Sequence, residues 1–416
     1  MQKNRRKVVV TGVSAIAPNG IGWRDFWTNS LSGVSGCREI TGFPITDGFS
    51  KVAGVVNNFY PESKFSIDDM GLPSNRLSLL AEFAVREALD EAGLLHDNQI
   101  RAGYEKTALC LSSAIGQMGS MESAYLKEYV YHQQADQYEM DSFSFSDITR
   151  RIVQLFGLQG GHTVIPTGCV GGCDAVSYGV HSIRVGRENR VIVGAAEAPI
   201  TPLVLAAFGR IGANSTRACL PHEASCPFDM DRDGFVIGEG AGILILEDEI
   251  SALERGATIW AEVKGTGSVC NAYHMTDLHP SGADIAKSCE VALTDANLRP
   301  DEIDFINAHG SSTPQNDVAE AAAYRIVFGE NSSRIPVTAL KSQNGHALSA
   351  ANAMEMVSSV LSIRYQMAPP TINLFHPDPA CQLDVLTSAR EVTIRNILKT
   401  SSGFSGLHSA LIVSQY

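Results

Sequence analysis

Short runs of β-branched residues alternate with longer helical patterns along this chain, and the alternation occurs twice. The predicted strands of the first half are residues 7–13, 107–112, 162–166, 190–195 and 242–247. Those of the second half are residues 260–267, 305–308, 337–340, 397–401 and 410–414. Helical periodicity predicts helices at residues 76–92, 173–185, 284–296, 317–327 and 348–365. This alternation predicts an α/β fold, with helices on both faces of a mixed sheet.

The similar order of elements in the two halves predicts an internal duplication. The clearest correspondence is between residues 162–186 and 337–366, each with an apolar strand, a short turn and a helix rich in small residues. A chain of 416 residues is also longer than one small core usually serves. The charged turn at Arg255 predicts an N-terminal unit of residues 1–255, with a nucleophilic cysteine, and a C-terminal unit of residues 256–416, with histidines and a lysine.

Composition excludes several classes of function. The net charge of −13 disfavours nonspecific nucleic-acid binding, which needs a basic surface. Nine cysteines without a CxxC pair disfavour a disulfide framework or zinc site, and they predict a reducing, cytoplasmic location. Gly12 and Pro18 interrupt the apolar N-terminal stretch, which therefore predicts a buried strand rather than a signal peptide. No window reaches the roughly 20 apolar residues that span a bilayer.

The first candidate site lies where a predicted strand turns sharply into a helix, at residues 164–172. Cys169 stands at the mouth of that helix. A thiol there feels the positive end of the helix dipole, so we expect a lowered pKa and an enriched thiolate. This setting is the cysteine counterpart of a nucleophile elbow, and it favours a nucleophile over a structural cysteine. Cys173, one turn further on, is expected to stay in the core.

Two histidines follow predicted strands of the second half. His309 enters a loop of small hydroxyl residues, and His346 lies in a glycine turn before the last long helix. Lys341 directly follows an apolar run, so its ammonium group needs a partner, for which Glu355 is the candidate. A single histidine or lysine at a strand end is usually an ordinary polar group. One cysteine and two histidines delivered in this way are far more specific, and the lack of an obvious orienting acid disfavours a generic cysteine hydrolase.

Three other patterns do not predict function. Residues 229–234 resemble the start of an EF-hand, but Gly240 stands at the twelfth position, so calcium binding is not expected. The glycines of residues 238–242 lead into a strand rather than a helix, which argues against a dinucleotide loop. The serines at 112–113 lack the G-x-S-x-G context of a nucleophile.

The candidate segments resemble the β-ketoacyl synthases, condensing enzymes of the thiolase-like fold, over essentially the whole chain. Within that family the resemblance is to the α ketosynthase subunit of type II polyketide synthases. The blocks that carry it are PTGCVGGCDAVSYG from Pro166, AAEAPITP from Ala195, CPFDMDRDGFVIGEGAG from Cys226, CNAYHMTDLHPSG from Cys270, NAHGSSTPQND from Asn307 and SGFSGLHSAL from Ser402. The resemblance implies a duplicated α-β-α-β-α layered fold with mixed five-stranded sheets. It also implies decarboxylative Claisen condensation of malonyl-carrier protein with a Cys-bound acyl chain, which elongates a polyketide that we expect to be aromatic.

By position, the resemblance makes Cys169 the acyl-accepting nucleophile. His309 and His346 become the pair that supports decarboxylation of the malonyl extender, while Lys341 orders the site electrostatically with Glu355.

Three further residues take supporting roles from the same resemblance. Phe404 matches the gating phenylalanine, and its N–H would form the oxyanion hole with that of the nucleophile. Ser311 and Thr313 match the hydroxyls that hold the phosphopantetheine arm. Ser405 is a departure, because a second glycine of the GFGG loop is usual there, and we expect a stiffer gate. Leu407 and His408 replace a Thr-Asn pair typical of fatty-acid synthases, which favours the polyketide reading.

The resemblance implies no metal or redox cofactor, because the acyl carrier protein supplies the phosphopantetheine arm. It implies a heterodimer with a catalytically inactive chain-length factor, and neither nucleic-acid nor membrane partners. Lys64 and Arg76 are weak candidates for a basic surface that receives the carrier. Two alternatives stay open: a homodimeric fatty-acid elongating 3-oxoacyl synthase II, and a non-catalytic chain-length subunit. The second commonly has glutamine where this chain has Cys169.

Overall fold

A computed structural model describes residues 5–46, 48–59, 75–135 and 144–416 of the chain. Within these ranges no helix has the length and apolar character needed to cross a lipid bilayer. The strands are β1 Val8–Ala17, β2 Gly20–Ile21, β3 Cys37–Glu39, β4 Val52–Gly54, β5 Leu95–His96, β6 Gln99–Ile100, β7 Ala108–Ser112, β8 His162–Val164, β9 Arg190–Glu197, β10 Ile237–Gly238, β11 Gly240–Asp248, β12 Ala261–Cys270, β13 Phe305–Asn307, β14 Pro336–Thr338, β15 Met367–Ala368, β16 Asp384–Val385, β17 Arg390–Glu391, β18 Asn396–Gly403 and β19 Leu407–Ser414.

Helices separate these strands. The α-helices are α1 Trp23–Leu31, α2 Arg76–Glu91, α3 Met118–Tyr125, α4 Asp147–Phe156, α5 Gly171–Arg184, α6 Pro202–Arg210, α7 Glu249–Glu254, α8 Ala283–Ala296, α9 Pro314–Phe328, α10 Lys341–Asn344 and α11 Leu348–Tyr365. Short 3₁₀ turns that concern the site are Gly168–Val170 and Phe404–Gly406.

The main sheet contains two sets of five strands with the same order and the same directions. In the first half the order is β8-β7-β9-β11-β1, and in the second it is β14-β13-β18-β19-β12. In each set the first three strands are parallel and the last two are antiparallel to their neighbours. Only two residue pairs, between β1 and β12, join the sets. This topology confirms the predicted duplicated fold with mixed five-stranded sheets, while the boundary at Arg255 stays a prediction.

The layers follow from alternation of side chains along the strands, because successive residues point to opposite faces. In β9, Val191 and Val193 face the central core with α5 and α11, whereas Ile192 faces an outer core with α2 and α4. In β18, Ile397 faces the same central core, and Leu398 faces the second outer core with α8 and α9. Two sheet layers are therefore enclosed by three helix layers.

The central helices approach each other at a glycine. A Cβ on Gly172 of α5 would lie 2.5 Å from the carbonyl oxygen of Ser349 and 2.7 Å from the amide of Ala353, both in α11. Only a residue without a side chain fits this contact. All residues of α11 from Leu348 to Ile363 are buried, which is expected of a helix enclosed on every side.

Local chemistry explains where the predicted bounds and the observed bounds differ. The strand predicted at 337–340 ends at Thr338, and Lys341 begins a short helix instead of following a strand directly. Helix α9 begins at Pro314 rather than at 317, because the Thr313 side chain caps it and proline fits the first helical position.

Candidate active site

Cys169 lies in the 3₁₀ turn that connects β8 to α5. Gly168, directly before it, has a φ of +64°, which most side chains avoid. The carbonyl oxygen of Cys169 accepts hydrogen bonds from the Asn352 side chain and from the Ser401 hydroxyl, the latter at 3.3 Å. The turn is therefore fixed by residues from the second half of the chain.

Burial raises the pKa of the Cys169 thiol to about 12. The ammonium group of Lys341 acts in the opposite direction, and the carboxylate of Glu197 raises the pKa further. The backbone N–H groups of Cys169 and Phe404 face the sulfur and lower the pKa. The lowered pKa that the helix dipole led us to expect is thus wrong in direction, because desolvation outweighs the favourable dipoles and charge.

His309 is held by a buried carboxylate that the sequence analysis missed. Its backbone N–H donates to Oε1 of Glu320 at 2.7 Å, and that of Gly310 donates to Oε2 at 2.8 Å. The hydroxyls of Tyr324 and Thr400 each donate to Oε1 of Glu320 at 2.7 Å. Glu320 therefore anchors the loop after β13 from helix α9. The available signal was its place one helical turn after Asp317, on the first turns of a capped helix.

His346 reaches the site from the turn between α10 and α11. Its backbone N–H donates to the carbonyl oxygen of Val236 at 2.6 Å, and its backbone carbonyl oxygen accepts the N–H of Gly238 at 2.9 Å. The ring centroid lies 5.2 Å from that of His309, at 80°, and 5.2 Å from that of Phe235. Nδ1 of His346 is buried and has no hydrogen-bond partner within the described ranges, so one ring nitrogen is not committed to the protein.

Both imidazoles are neutral over a wide range of pH. Burial holds the pKa of His309 and of His346 well below the ordinary value of 6.5. The positive charge of Lys341 acts in the same direction on both rings. A neutral imidazole carries one N–H donor and one acceptor nitrogen. The site therefore offers hydrogen-bond donors that add no positive charge of their own.

Lys341 lies behind the imidazoles rather than in the open pocket. Its Nζ is 2.7 Å from Oε1 of Glu355, 2.7 Å from the carbonyl oxygen of His309 and 3.4 Å from Nδ1 of the same histidine. Burial lowers the pKa of Lys341, and the charge of Glu355 opposes that effect. The predicted pairing of Lys341 with Glu355 is thus present. A second lysine, Lys399, contacts Oε2 of Glu355 at 2.8 Å, and the sequence analysis missed it.

The candidate residues meet in one pocket, which has a volume of about 240 Å³. Its walls include the predicted nucleophile, both histidines, the predicted gate and the two hydroxyl residues: Cys169, His309, His346, Phe404, Ser311 and Thr313. These side chains come from both halves of the chain. The pocket also has walls that the sequence analysis did not assign, at residues 211–213 and 276–278.

The gate residue is packed against other aromatic rings. Phe404 lies 6.4 Å from Phe208 between ring centroids, and Phe208 lies 5.3 Å from Phe235. Ser405, which stands where the resemblance expects glycine, has a φ of +64°, and its N–H donates to the carbonyl oxygen of Met275 at 2.8 Å. A non-glycine residue in this conformation is strained, so the serine is held in the conformation that glycine adopts freely.

Ser311 and Thr313 form a pair at the pocket wall. Their hydroxyl oxygens are 2.9 Å apart, and the Thr313 hydroxyl also accepts the N–H of Asn316 as the cap of α9. Of the two weak docking candidates, Lys64 lies outside the described residues. Arg76 is half-exposed and forms an ion pair with buried Glu239, which gives it a structural partner.

The rejected sequence patterns have structural roles. The Asp229 carboxylate accepts backbone N–H groups from Phe375 and His376, each at 2.7 Å, and from Asp231 at 2.9 Å. The aspartate-rich loop is therefore hydrogen-bonded to residues 375–376, which are distant in the sequence. The glycines of residues 238–242 lead into strand β11, as the sequence analysis expected.

Comparison with known families gives two matches that together cover most of the chain. Residues 5–252 match the beta-ketoacyl synthase N-terminal domain, and residues 260–375 match the C-terminal domain of the same family.

Similar proteins share both halves. The tetracenomycin polyketide synthase ketoacyl synthase alpha subunit of Streptomyces glaucescens is 36% identical, over 99% of this chain and 97% of that protein. A solved structure titled as AntDE:AntF, a type II polyketide synthase acyl-carrier protein in complex with its ketosynthase bound to the hexaketide, is 38% identical with a TM-score of 0.91, over 99% of this chain and 100% of the other. The ishigamide ketosynthase/chain length factor is 34% identical with a TM-score of 0.89, over 99% and 100%.

Proposed function

Since the chain belongs to the β-ketoacyl synthase family, we propose that it is the condensing subunit of a type II polyketide synthase and that Cys169, His309 and His346 carry the reaction. The reaction is decarboxylative Claisen condensation of malonyl-carrier protein with an enzyme-bound acyl chain. The observation that carries the assignment is the convergence of one thiol and two neutral imidazoles, from loops and turns of both halves, in a single pocket.

In the first step, the thiol of Cys169 takes the acyl chain from the carrier. The Cys169 sulfur attacks the thioester carbonyl, the carrier thiol leaves, and the proton of Cys169 passes to that leaving thiol. A thiol with a pKa of about 12 is protonated at rest, so this proton must be removed during attack. The N–H groups of Cys169 and Phe404, which converge on the sulfur, are suitably placed to bind the oxyanion.

In the second step, the malonyl group loses CO₂. The bond between the α carbon and the carboxylate breaks, and its electron pair passes into an enolate whose oxygen needs hydrogen-bond donors. Neutral His309 and His346 supply them, and one preorganised donor of this kind is typically worth about 3–4 kcal/mol. The enolate carbon then attacks the acyl group on Cys169 and forms the new C–C bond, the C–S bond breaks, and the Cys169 thiolate takes a proton from solvent. Protein side chains and the carrier-borne arm perform every proposed step.

The carrier arm would enter past the hydroxyls of Ser311 and Thr313. Arg210, at the end of α6, is exposed beside Ile211 of the pocket wall, and it has no ion-pair partner among the residues described. An acidic carrier protein needs such a cation near the mouth. We assign Arg210 to carrier docking in place of the two weaker candidates.

A chain-length factor is the proposed partner subunit. Strand β8 forms one edge of the main sheet, and no described strand lies beyond it. An exposed edge of this kind can pair with a strand from another chain. Since β8 leads directly to Cys169, a subunit bound there would lie next to the acyl chain. Co-purification of a stable heterodimer supports this assignment, whereas a homodimer that elongates fatty acids supports the alternative.

Intact-protein mass spectrometry tests the function. The enzyme is incubated with acyl-carrier protein, and we expect a stable acyl adduct on the wild type and none on Cys169→Ala. Cys173→Ala is the matched control, because this buried cysteine lies one turn away and should leave the adduct intact. An adduct that survives in Cys169→Ala would remove the nucleophile from its role.

A further inference from the structure

A second lysine is buried beneath the catalytic pocket. Lys399 is on β18 and is fully buried, which is rare for a lysine unless the ammonium group is paired. Its Nζ lies 2.8 Å from Oε2 of Glu355, and it also donates to the carbonyl oxygen of Thr400. The other oxygen of Glu355 binds Lys341 at 2.7 Å. One carboxylate thus bridges two buried ammonium groups.

This arrangement needs a reason, because burying charge is costly. Two cations that share one anion leave a local excess of positive charge, and the desolvation of each ion costs several kcal/mol. Glu320 lies on the opposite side, where it accepts from the Thr400 hydroxyl at 2.7 Å and from the His309 backbone. With both lysines and both glutamates charged, the cluster is neutral, and neither imidazole needs to carry a proton.

We infer that Lys399 is a positioning residue for the condensation, which acts through Glu355 on Lys341 and on the two catalytic imidazoles. The inference rests on the proposed function. Lys399 does not line the pocket, so it acts without touching the substrate. Its ammonium group lies at ion-pair distance from Oε2, which accepts no hydrogen bond among the described residues, and this attraction favours the orientation in which Oε1 binds Lys341. Lys341 in turn binds the carbonyl oxygen of His309.

The electrostatic part of this role follows from the neighbours of Lys399. The charged and titratable groups that interact with it are Glu355, Lys341, Cys173, His309 and His346, and two further carboxyl groups that act on these neighbours are Glu320 and Asp174. The positive charge of Lys399 lowers the pKa of both imidazoles, although less than burial and Lys341 do. Without that charge, the cluster would have one more negative than positive group, and an imidazole would accept a proton more readily.

The test is the pH dependence of CO₂ release from malonyl-carrier protein by the full-length enzyme. In Lys399→Met, which keeps the length of the side chain without its charge, we expect the acid limb of the rate profile to move up by about one pH unit. The direction follows because only a neutral imidazole serves the reaction and a raised pKa extends the protonated form to higher pH. Formation of the acyl adduct on Cys169 should be retained. Lys399→Arg, which restores the charge, should return the limb towards its wild-type position.

Two further measurements separate this role from a structural one. Ser358→Ala, at a buried serine of α11 whose hydroxyl has no described partner, alters the same helix without changing charge and should leave the profile unchanged. In a Glu355→Gln background, Lys399→Met should lower the maximal rate of CO₂ release little further, because the positional effect of Lys399 requires Glu355. The acid limb should still move there, because the charge of Lys399 acts on the imidazoles directly. If Lys399→Met does not fold, Lys399→Arg is the variant measured, and an acid limb that moves although the charge is kept would overturn the role.

The outcomes are distinct. An unchanged profile in Lys399→Met, or additive losses of the maximal rate of CO₂ release in the double variant, would overturn the role of Lys399 while leaving the proposed function in place. A wild type that neither releases CO₂ nor forms the adduct would overturn the proposed function and this inference together.

Discussion

Two strand–turn–helix units occupy the same place in their five-stranded sets, yet they contribute differently to the site. The first consists of β8, its turn and α5, and the second consists of β14, its turn and α11. The first unit presents one reactive atom, the sulfur of Cys169, to the pocket and to backbone N–H groups. The second unit supplies His346 and, beneath it, the buried ion cluster around Glu355. One unit depends on backbone geometry and the other on buried charge.

This difference shows how a duplicated fold can divide one reaction. A nucleophile must be reached by its substrate, so it lies in the turn before a helix. Charges that keep nearby groups neutral act most strongly where water is absent, so they lie against a helix that is enclosed on all sides. The same strand order provides both settings, because the central helices α5 and α11 pack against each other between the two sheets.

The largest effect should follow from breaking the charge cluster of the second unit. Glu355→Ala leaves two buried ammonium groups without their shared carboxylate, and we expect a loss of about 3–5 kcal/mol in the free energy of unfolding. Urea denaturation measures it. Glu290→Ala, which removes an exposed partner of Lys287, should cost only about 0–1 kcal/mol. Equally small losses of unfolding free energy in both variants would show that the charge cluster around Glu355 does not stabilise the fold.

The next effect separates the chemistry of the two units. His309→Ala should slow the release of CO₂ from malonyl-carrier protein by about 10²- to 10³-fold, because it removes one donor to the enolate. Cys169→Ala should still release CO₂ slowly, because decarboxylation precedes attack on the acyl-cysteine. Equal rates of CO₂ release in the two variants would remove His309 from its assigned role.

A pH experiment examines Glu197, a buried carboxylate of the first half that forms no ion pair with any residue that the structure describes. Burial raises the pKa of Glu197 from 4.5 to about 7, although it accepts hydrogen bonds from Ala114, Ser113 and Ser349. The folded protein therefore holds this proton more tightly than the unfolded chain does, and its stability declines as the pH rises through 7. Between pH 5 and 8, the stability of Glu197→Gln relative to wild type should improve by about 2–3 kcal/mol in urea denaturation.

Exposed Glu290→Gln provides the control for that experiment, because its carboxylate is largely in water and should show no such trend. A relative stability of Glu197→Gln that is constant with pH would mean that Glu197 ionises normally in the folded protein.

The smallest effect concerns the contact between the two central helices. Gly172→Ala places a Cβ 2.5 Å from the carbonyl oxygen of Ser349, so α5 and α11 must separate, at a cost of about 1–3 kcal/mol in thermal or urea unfolding. Gly161→Ala, whose Cβ would lie 3.7 Å from the nearest side-chain atom, is the control and should be nearly neutral. An unfolding free energy of Gly172→Ala equal to that of the wild type would show that α5 and α11 can move apart without cost.

The sequence could predict the strands and the residues at their ends, because β-branched runs and glycine turns are local signals. It could not predict how deeply those residues are buried in the folded protein. The run Ile397-Leu398-Lys399-Thr400 alternates as an ordinary half-buried strand does, and nothing local shows that α11 covers the face that carries Lys399. The direction of the Cys169 pKa was wrong for the same reason, since desolvation depends on distant chain segments.

His346 obtains its backbone partners from the other half, since residues 236 and 238 bind its peptide group on both sides. During synthesis the N-terminal half leaves the ribosome first, with its thiol already encoded but with neither imidazole yet translated. The turn that contains His346 can therefore reach its final position only after it has been translated and has packed against β10. Under the proposed function, condensation can begin only after this packing, and a nascent chain that ends earlier has Cys169 without the full pair of imidazoles.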